Sequence, residues 1–438
     1  MSATVARPLP YATGSHVSIP SAECDAGARL SVAVLGYLLA LIGTLALMPF
    51  EFRIPASYDL AWDATWRDAA LAAALFLPVG FLARRATRPR HDRFALSAMS
   101  LATVASVGIE TLQLYTPHAH VSPWDVLAHV GGAACGVALF ETVARRSSDE
   151  VTSDVLLLQL PLMGLLYLLV PLLWVSSLAA QGEPARLALT LLVGLTGASI
   201  LGSVARAMAP MTIERAWWSV GAAAATWVAV GIAPAARLDP SLAAGTILVV
   251  AAYAGWRGRL NAPAFHERRF EVPALRAAAP FLALFLVGSA IWPARGFRTH
   301  PLWHLGFPTA DGGLALVLPV VEALVGATVL GYVIAEFNGR AELGFRRTWP
   351  RVLRWALLIL VGGECTRSLL AYEGASGVRL LLGFVASIYG AGLYHLQREH
   401  VKVVARRRRE AAAARAARVT SVDGSAVAAR AARFPRAR

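Results

Sequence analysis

Long apolar runs and short polar segments alternate along the whole sequence. The runs are continuous and do not alternate residue by residue between polar and apolar types, so they predict helices rather than β-strands. Because backbone in lipid has to satisfy its own hydrogen bonds, runs of this length predict an all-α, polytopic bundle of transmembrane helices. About twelve spans can be drawn, over residues 30–49, 67–84, 94–115, 124–144, 155–178, 185–208, 216–234, 241–256, 274–292, 313–336, 350–371 and 377–396.

Composition and charge place this bundle in a membrane with a defined orientation. Hydrophobic residues make up 57% of the 438 residues, more than a soluble chain of this length carries. The net charge is +14, and arginine-rich segments follow the second, eighth, tenth and last spans, all on one side of the membrane. The positive-inside rule then predicts cytoplasmic termini, and we expect the inner membrane of a bacterium. We expect the basic segment 398–438 to contact anionic membrane lipid, and no sequence signature favours nucleic acid.

Two stretches of the chain resemble each other without gaps. The first begins at Gly108 and the second at Gly362, and the positions that match are mainly polar. At the same offset, Glu110 matches Glu364, Gln113 matches Arg367, Asp125 matches Arg379, Gly136 matches Gly390 and Asp68 matches Glu322. The alternative is a chance match between apolar segments. Since an even number of spans separates the two starts, the match predicts two related four-helix units in parallel orientation.

The predicted organisation follows from this repeat. It comprises a cytoplasmic segment 1–29, a first unit 30–145, a middle unit of four spans 146–272, a last unit 273–397 and a basic cytoplasmic tail 398–438.

Polar residues lie at the predicted outer end of the third and fourth spans. Glu110 and Gln113 are three residues apart and share a helix face. Asp125, His129, Gly132 and Gly136 share one face of the fourth span, and the last two form a small-residue motif that lets another backbone approach closely. The simplest construction packs the third span on this face, so that both polar residues meet Asp125 and His129. It forms either a polar pocket open to the outside or a polar clamp between two helices.

Three motifs in the first unit resemble the VanZ-like family of small membrane proteins. The resemblance rests on their order and spacing, with Phe76, Pro78 and Gly80 in the second span expected to kink or thin that helix. The chain departs from the family pattern at Ala72, Ala119 and His129. The family's founding association is low-level resistance to the glycopeptide teicoplanin, and the resemblance implies no reaction. The motif residues are Pro49, Phe50, Phe52, Asp68, Phe76, Pro78, Gly80, Glu110, Gln113, Ser122, Asp125 and Gly136.

The last unit is predicted to be a degenerate copy with a structural role. Two arginines replace the glutamine and the aspartate of the first unit, so Glu364 is expected to form an ion pair with Arg367 or Arg379.

The sequence therefore predicts a VanZ-like, non-catalytic protein of the cell envelope. By this interpretation it binds or shields a lipid-linked glycan or a glycopeptide at the outer face, and its remaining partners are membrane lipids. No catalytic residue, cofactor or metal site is predicted, because no cysteine or histidine spacing matches a ligand pattern. An envelope-glycan polymerase or ligase and a secondary transporter are the alternatives. The sequence does not indicate an oligomeric state. The candidate pocket comprises Glu110, Gln113, His118, His120, Ser122, Asp125 and His129.

Overall fold

The computed structural model is a bundle of helices. It describes residues 21–48, 52–54, 62, 65–87, 94–116, 121–146, 162–208, 213–235, 238–260, 271–293, 296–306, 314–339, 344–370 and 374–433. Within these residues the α-helices are α1 (Ser21–Leu47), α2 (Trp66–Thr87), α3 (Phe94–Gln113), α4 (Pro123–Arg146), α5 (Met163–Gly182), α6 (Leu187–Met208), α7 (Ile213–Ile232), α8 (Pro240–Arg259), α9 (Glu271–Ile291), α10 (Leu314–Gly339), α11 (Phe345–Ser368) and α12 (Gly377–Arg433).

The predicted fold class is confirmed. Twelve helices in the described part of the chain correspond in order to the twelve predicted spans. Eight of them are long and apolar enough to cross a membrane, and Trp217–Ile232 is a shorter apolar helix. The chain is a multi-pass membrane protein. Besides the α-helices, the described residues form a 3₁₀ turn (Pro184–Arg186), two short parallel strands, β1 (Trp303–His304) and β2 (Ala375–Ser376), and an isolated bridge between Phe297 and Leu370.

The largest difference from the predicted boundaries is at the end of the last span, and α1 also begins earlier than predicted, at Ser21. The last predicted span ends at residue 396, but α12 continues without a break through Arg433. The basic tail is rich in alanine and arginine, which are strong helix formers, and no proline interrupts it before the helix ends. The tail is therefore a helical extension of the last span.

Two helices occupy the centre of the bundle. In the apolar stretches of α5 and of α10, 83% of the residues are buried, more than in the other candidate spans among the described residues. They join one large hydrophobic cluster with residues from both end units, whereas a second cluster holds α7 and α8 against α6. Polar contacts at the centre are paired: Gln397 Oε1 accepts from the Gly164 amide at 2.9 Å, and the Trp174 indole donates to the Val230 carbonyl at 3.1 Å.

The closest helix packing in the first unit joins α2 to α4. Three glycines lie where the opposite backbone leaves no room for a side chain. The prediction that α3 packs on the glycine face of α4 is wrong. The partner is α2, whose small side chains near Ala73 expose the carbonyls that the glycines approach. An added Cβ would collide with the Ala73 carbonyl at Gly132, the Leu77 carbonyl at Gly136 and the Ala133 carbonyl at Gly80.

The last unit repeats this packing between α10 and α12. An added Cβ at Gly331 would collide with the Ser387 carbonyl, and one at Gly390 with the Thr328 carbonyl. Gly331 lies 251 residues after Gly80, and Gly390 lies 254 residues after Gly136. The pair α2 and α4 therefore aligns with the pair α10 and α12 if the last unit has three extra residues between its two helices.

A second pair of contacts also recurs in both units. The Arg53 amide donates to the Tyr115 carbonyl at 2.7 Å, and the Arg298 amide donates to the Leu369 carbonyl at 2.7 Å. Leu369 lies 254 residues after Tyr115. These contacts support the internal repeat, which stays a prediction.

The register of this packing changes one predicted match. At an offset of 251 between α2 and α10, Asp68 corresponds to Pro319 and not to Glu322. Asp68 and Glu322 match only when the two units are aligned without the gap of three residues.

We predict that Gly132→Ala destabilises the first unit, because the new methyl group displaces the α2 backbone. The expected loss is about 1–3 kcal/mol, the usual cost of overpacking, measured as a lower unfolding temperature in detergent micelles. Gly131→Ala is the matched control, since a Cβ at Gly131 meets nothing within 4 Å. Equal effects of the two substitutions would contradict the assigned packing.

Candidate functional site

The candidate site lies where α3 ends and α4 begins. Ser122 organises the start of α4: its hydroxyl accepts the Trp124 amide at 3.2 Å, and its carbonyl accepts the Asp125 amide at 3.0 Å. This is the usual arrangement of a serine that precedes a helix, where the first amides have no partner within the helix. Asp125 thereby lies in the first turn of α4, on the side that faces the end of α3.

Glu110 is the buried acid of this junction. Its side chain is 6% exposed, and its carboxylate lies in hydrogen-bonding range of the Ser122 backbone amide. The second carboxylate oxygen, Oε2, is buried and accepts no hydrogen bond. Glu110 forms no ion pair with any residue that the structure describes. A buried carboxylate oxygen without a hydrogen bond is energetically costly.

Two further acids lie in this region, Asp125 beside Glu110 and Asp68 beside Asp125. Asp125 is half-buried and interacts electrostatically with Glu110 and with Asp68. Asp68 is exposed and has a structural role of its own, because it accepts the Thr65 hydroxyl at 2.6 Å while Thr65 caps α2. The acids therefore create a concentration of negative charge at the predicted outer end of the first unit.

Gln113 does not face α4. Its amide donates to the Ala46 carbonyl at 2.9 Å, which ties the end of α3 to the end of α1. The prediction that Gln113 lies beside Asp125 is wrong. Gln113 follows Glu110 by three residues, so its side chain is turned around the helix axis from that of Glu110 and reaches α1. Gln113 forms a clamp between helices.

His129 is buried between α2 and α3. Its Nδ1 lies 2.8 Å from the Ser106 hydroxyl, and its ring stacks on Phe76 with centroids 4.1 Å apart. The expected hydrogen bond to Glu110 is absent, because Ser106 lies one helical turn closer. Ser106 is a polar contributor that the sequence analysis missed, although it stands four residues before Glu110 on the same face.

Other candidate residues have a simpler placement. His118, His120, Pro49 and Phe50 lie outside the described residues. Phe52 is half exposed, and Pro78 lies within the continuous helix α2. The structure therefore brings together Glu110, Ser122 and Asp125, and separates Gln113 and His129 from them.

The last unit has a buried acid at the corresponding place, and there the acid is paired with arginines. Glu364 is 3% exposed and accepts Arg379 through both oxygens, at 2.7 Å from Nε and 2.9 Å from Nη2. The Ser376 amide donates to Glu364 Oε2 at 2.8 Å, and Arg367 Nη1 donates to Oε1 at 2.9 Å. The expected ion pair is thus present with both arginines. Since Arg367 also donates to the Ser289 carbonyl in α9 at 3.1 Å, it ties the first and third helices of its unit as Gln113 does.

A cavity in the last unit was not anticipated from the sequence. It has a volume of about 50 Å³ and is lined by acids and arginines, among them Glu322 and Glu364, and by apolar residues that range from Gly383 to Phe285. In the packing register, Ala327 takes the place of Phe76 and Gly383 takes the place of His129. The rings of Phe76 and His129, which pack inside the first unit, therefore have no counterpart in the last unit. An alignment with the three-residue gap would have revealed both replacements.

Comparison with known proteins identifies the first unit. Residues 28–144 match the family model described as VanZ/LLP1. The match has nearly the predicted bounds of 30–145, so the first unit is VanZ-like. The comparison with curated proteins gave no match, and the comparison with solved structures gave none.

We predict that Arg379→Ala lowers the stability of the protein by about 3–5 kcal/mol, because it removes the bidentate partner of a buried carboxylate. Arg406→Ala is the control, since the Arg406–Glu410 pair is exposed on the helical tail and contributes at most about 0.5 kcal/mol. Unfolding in detergent micelles measures both. A loss for Arg379→Ala no larger than that for the control would contradict the structural role of the pair.

Proposed function

We propose that this VanZ-like membrane protein is a non-catalytic component of the bacterial cell envelope. In this proposal the junction of α3 and α4 binds a polar group of a lipid-linked glycan or a glycopeptide. The site faces the outside of the cytoplasmic membrane, as the positive-inside rule predicts, and binding shields the ligand.

The observation that carries the proposal is the buried Glu110 Oε2 without a hydrogen bond. Gln113 and Glu364, which act as clamps, are held by hydrogen bonds to a neighbouring helix, and Glu364 has both of its oxygens bonded. When Glu110 is ionised its carboxylate only accepts hydrogen bonds, so the group that then satisfies Oε2 is a donor. Sugar hydroxyls and the amines and amides of a glycopeptide are donors of this kind.

The position of Asp125 gives the ligand a route to Glu110. Asp125 is half-buried at the start of α4, so it connects the buried carboxylate with the surface. A ligand that enters beside Asp125 contacts two carboxylates in succession, which favours groups with several donors.

The first experiment is purification from native membranes followed by mass spectrometry of co-purified lipids and glycans. We expect the wild type to retain a polyprenyl- or glycan-linked species that Glu110→Gln loses, since the amide puts donors where the ligand needs an acceptor. Glu141→Gln is the matched control. It removes an acid from the opposite end of the same unit, where Glu141 accepts Arg84 Nε at 2.6 Å.

The comparison is made at equal yield and equal unfolding temperature. Retention of the same bulk phospholipid by wild type and Glu110→Gln would reject the binding site and leave Glu110 as a clamp. Uptake assays on the same variants would then test the transporter alternative.

A further inference from the structure

The last unit shows which chemical group completes the site of the first unit. The two sites have the same backbone frame: α4 begins at Pro123 and α12 begins at Gly377, 254 residues later. Glu110 and Glu364 are separated by the same number, and each has a serine amide beside its carboxylate. The difference between the sites therefore lies in the side chains that surround the acid.

In the last unit a guanidinium occupies the space beside the acid. Arg379 reaches Glu364 from the first turn of α12 and forms two parallel hydrogen bonds with its oxygens. Such forked pairs are among the strongest charge-assisted hydrogen bonds in proteins. The carboxylate is saturated by the protein itself.

The first unit has neither of these cations. Asp125 stands at the position of Arg379, and Gln113 stands at the position of Arg367. Gln113 keeps the contact with the first helix of its unit, because its amide binds the Ala46 carbonyl as Arg367 binds the Ser289 carbonyl. It does not supply a donor to Glu110. The first unit therefore has a buried acid, Glu110, with one oxygen that accepts no hydrogen bond. A second acid, Asp125, stands where the last unit has the counter-ion Arg379.

We infer that the Glu110–Asp125 site binds an organic cation, namely a guanidinium or a primary ammonium group carried by the ligand. The inference rests on the proposed function and specifies its chemistry. A cation at the position equivalent to that of the Arg379 guanidinium donates to Glu110 Oε2 and lies against Asp125. Asp68, exposed nearby, adds to the attraction.

The arrangement of the acids favours an organic cation over a metal ion. Within the described residues, no three histidine, cysteine, aspartate or glutamate side chains are grouped so that they could hold a metal. Hard cations such as Ca²⁺ need six to eight oxygen ligands at short distance. Two carboxylates at a helix junction instead match a group with several directed N–H donors.

The test uses the full-length protein in detergent with methylguanidinium as the probe. At millimolar concentration and constant ionic strength, we expect methylguanidinium to raise the unfolding temperature of the wild type by at least about 2 °C. Tetramethylammonium, which carries the charge without N–H donors, should have no such effect. Glu110→Gln should lose the response to methylguanidinium, and Glu141→Gln should keep it.

Asp125→Arg copies the last unit into the first. We expect this variant to unfold at a higher temperature than the wild type without any probe, and to show no response to methylguanidinium. An unchanged response in Asp125→Arg, or one in Glu110→Gln, would overturn the inference. If Asp125→Arg does not fold, the comparison of wild type with Glu110→Gln decides alone.

The outcomes separate this inference from the proposed function. Loss of a co-purified glycan species in Glu110→Gln, together with no response to methylguanidinium, would keep the binding site and reject a cationic group. A specific response to methylguanidinium without any co-purified envelope species would keep the cation site and reject the envelope ligand.

Discussion

The close backbone packing of α2 on α4 is the contact on which the geometry of the first unit depends. Lipid chains are as apolar as most side chains, so helices in a membrane associate through tight van der Waals contact rather than through the exclusion of water. The absence of side chains at Gly132 and Gly136 lets the α4 backbone reach the carbonyls of α2. This fixes the height and rotation of α4, and with them the position of Asp125 beside the end of α3. If this contact were wider, the Phe76–His129 stack and the His129–Ser106 hydrogen bond would be lost together.

A second constraint concerns charge. The acid at the end of the third helix is buried in both end units, and only the last unit provides the arginines that balance it. Removing ions from water costs several kcal/mol for each ion, which good geometry and complete hydrogen bonding have to offset. The last unit meets this condition internally. The first unit has no arginine at the corresponding positions, so the two end units differ in how their buried acid is balanced.

The sequence predicted the helices well and their neighbours less well. Hydrophobic runs define spans directly, because their length and polarity are local properties. The glycine pair of α4 indicated close packing, but a small-residue face does not specify which helix approaches it, and α2 rather than α3 does so. Glu364 and its arginines could be predicted because opposite charges inside a membrane have few alternatives to pairing. Gln113 could not, since an amide finds acceptors at many carbonyls.

The two end units contact each other directly, which gives their difference a consequence. The Tyr389 hydroxyl of α12 donates to the Ala33 carbonyl of α1 at 2.7 Å, and Arg85 lies 2.9 Å from His400 across the same boundary. Both units also share one hydrophobic cluster with α5. The last unit satisfies its buried acid internally, whereas the first unit leaves one carboxylate oxygen without a hydrogen bond. Because α1 and α2 make these contacts, they join the unit with the unsatisfied acid directly to the unit whose acid is satisfied.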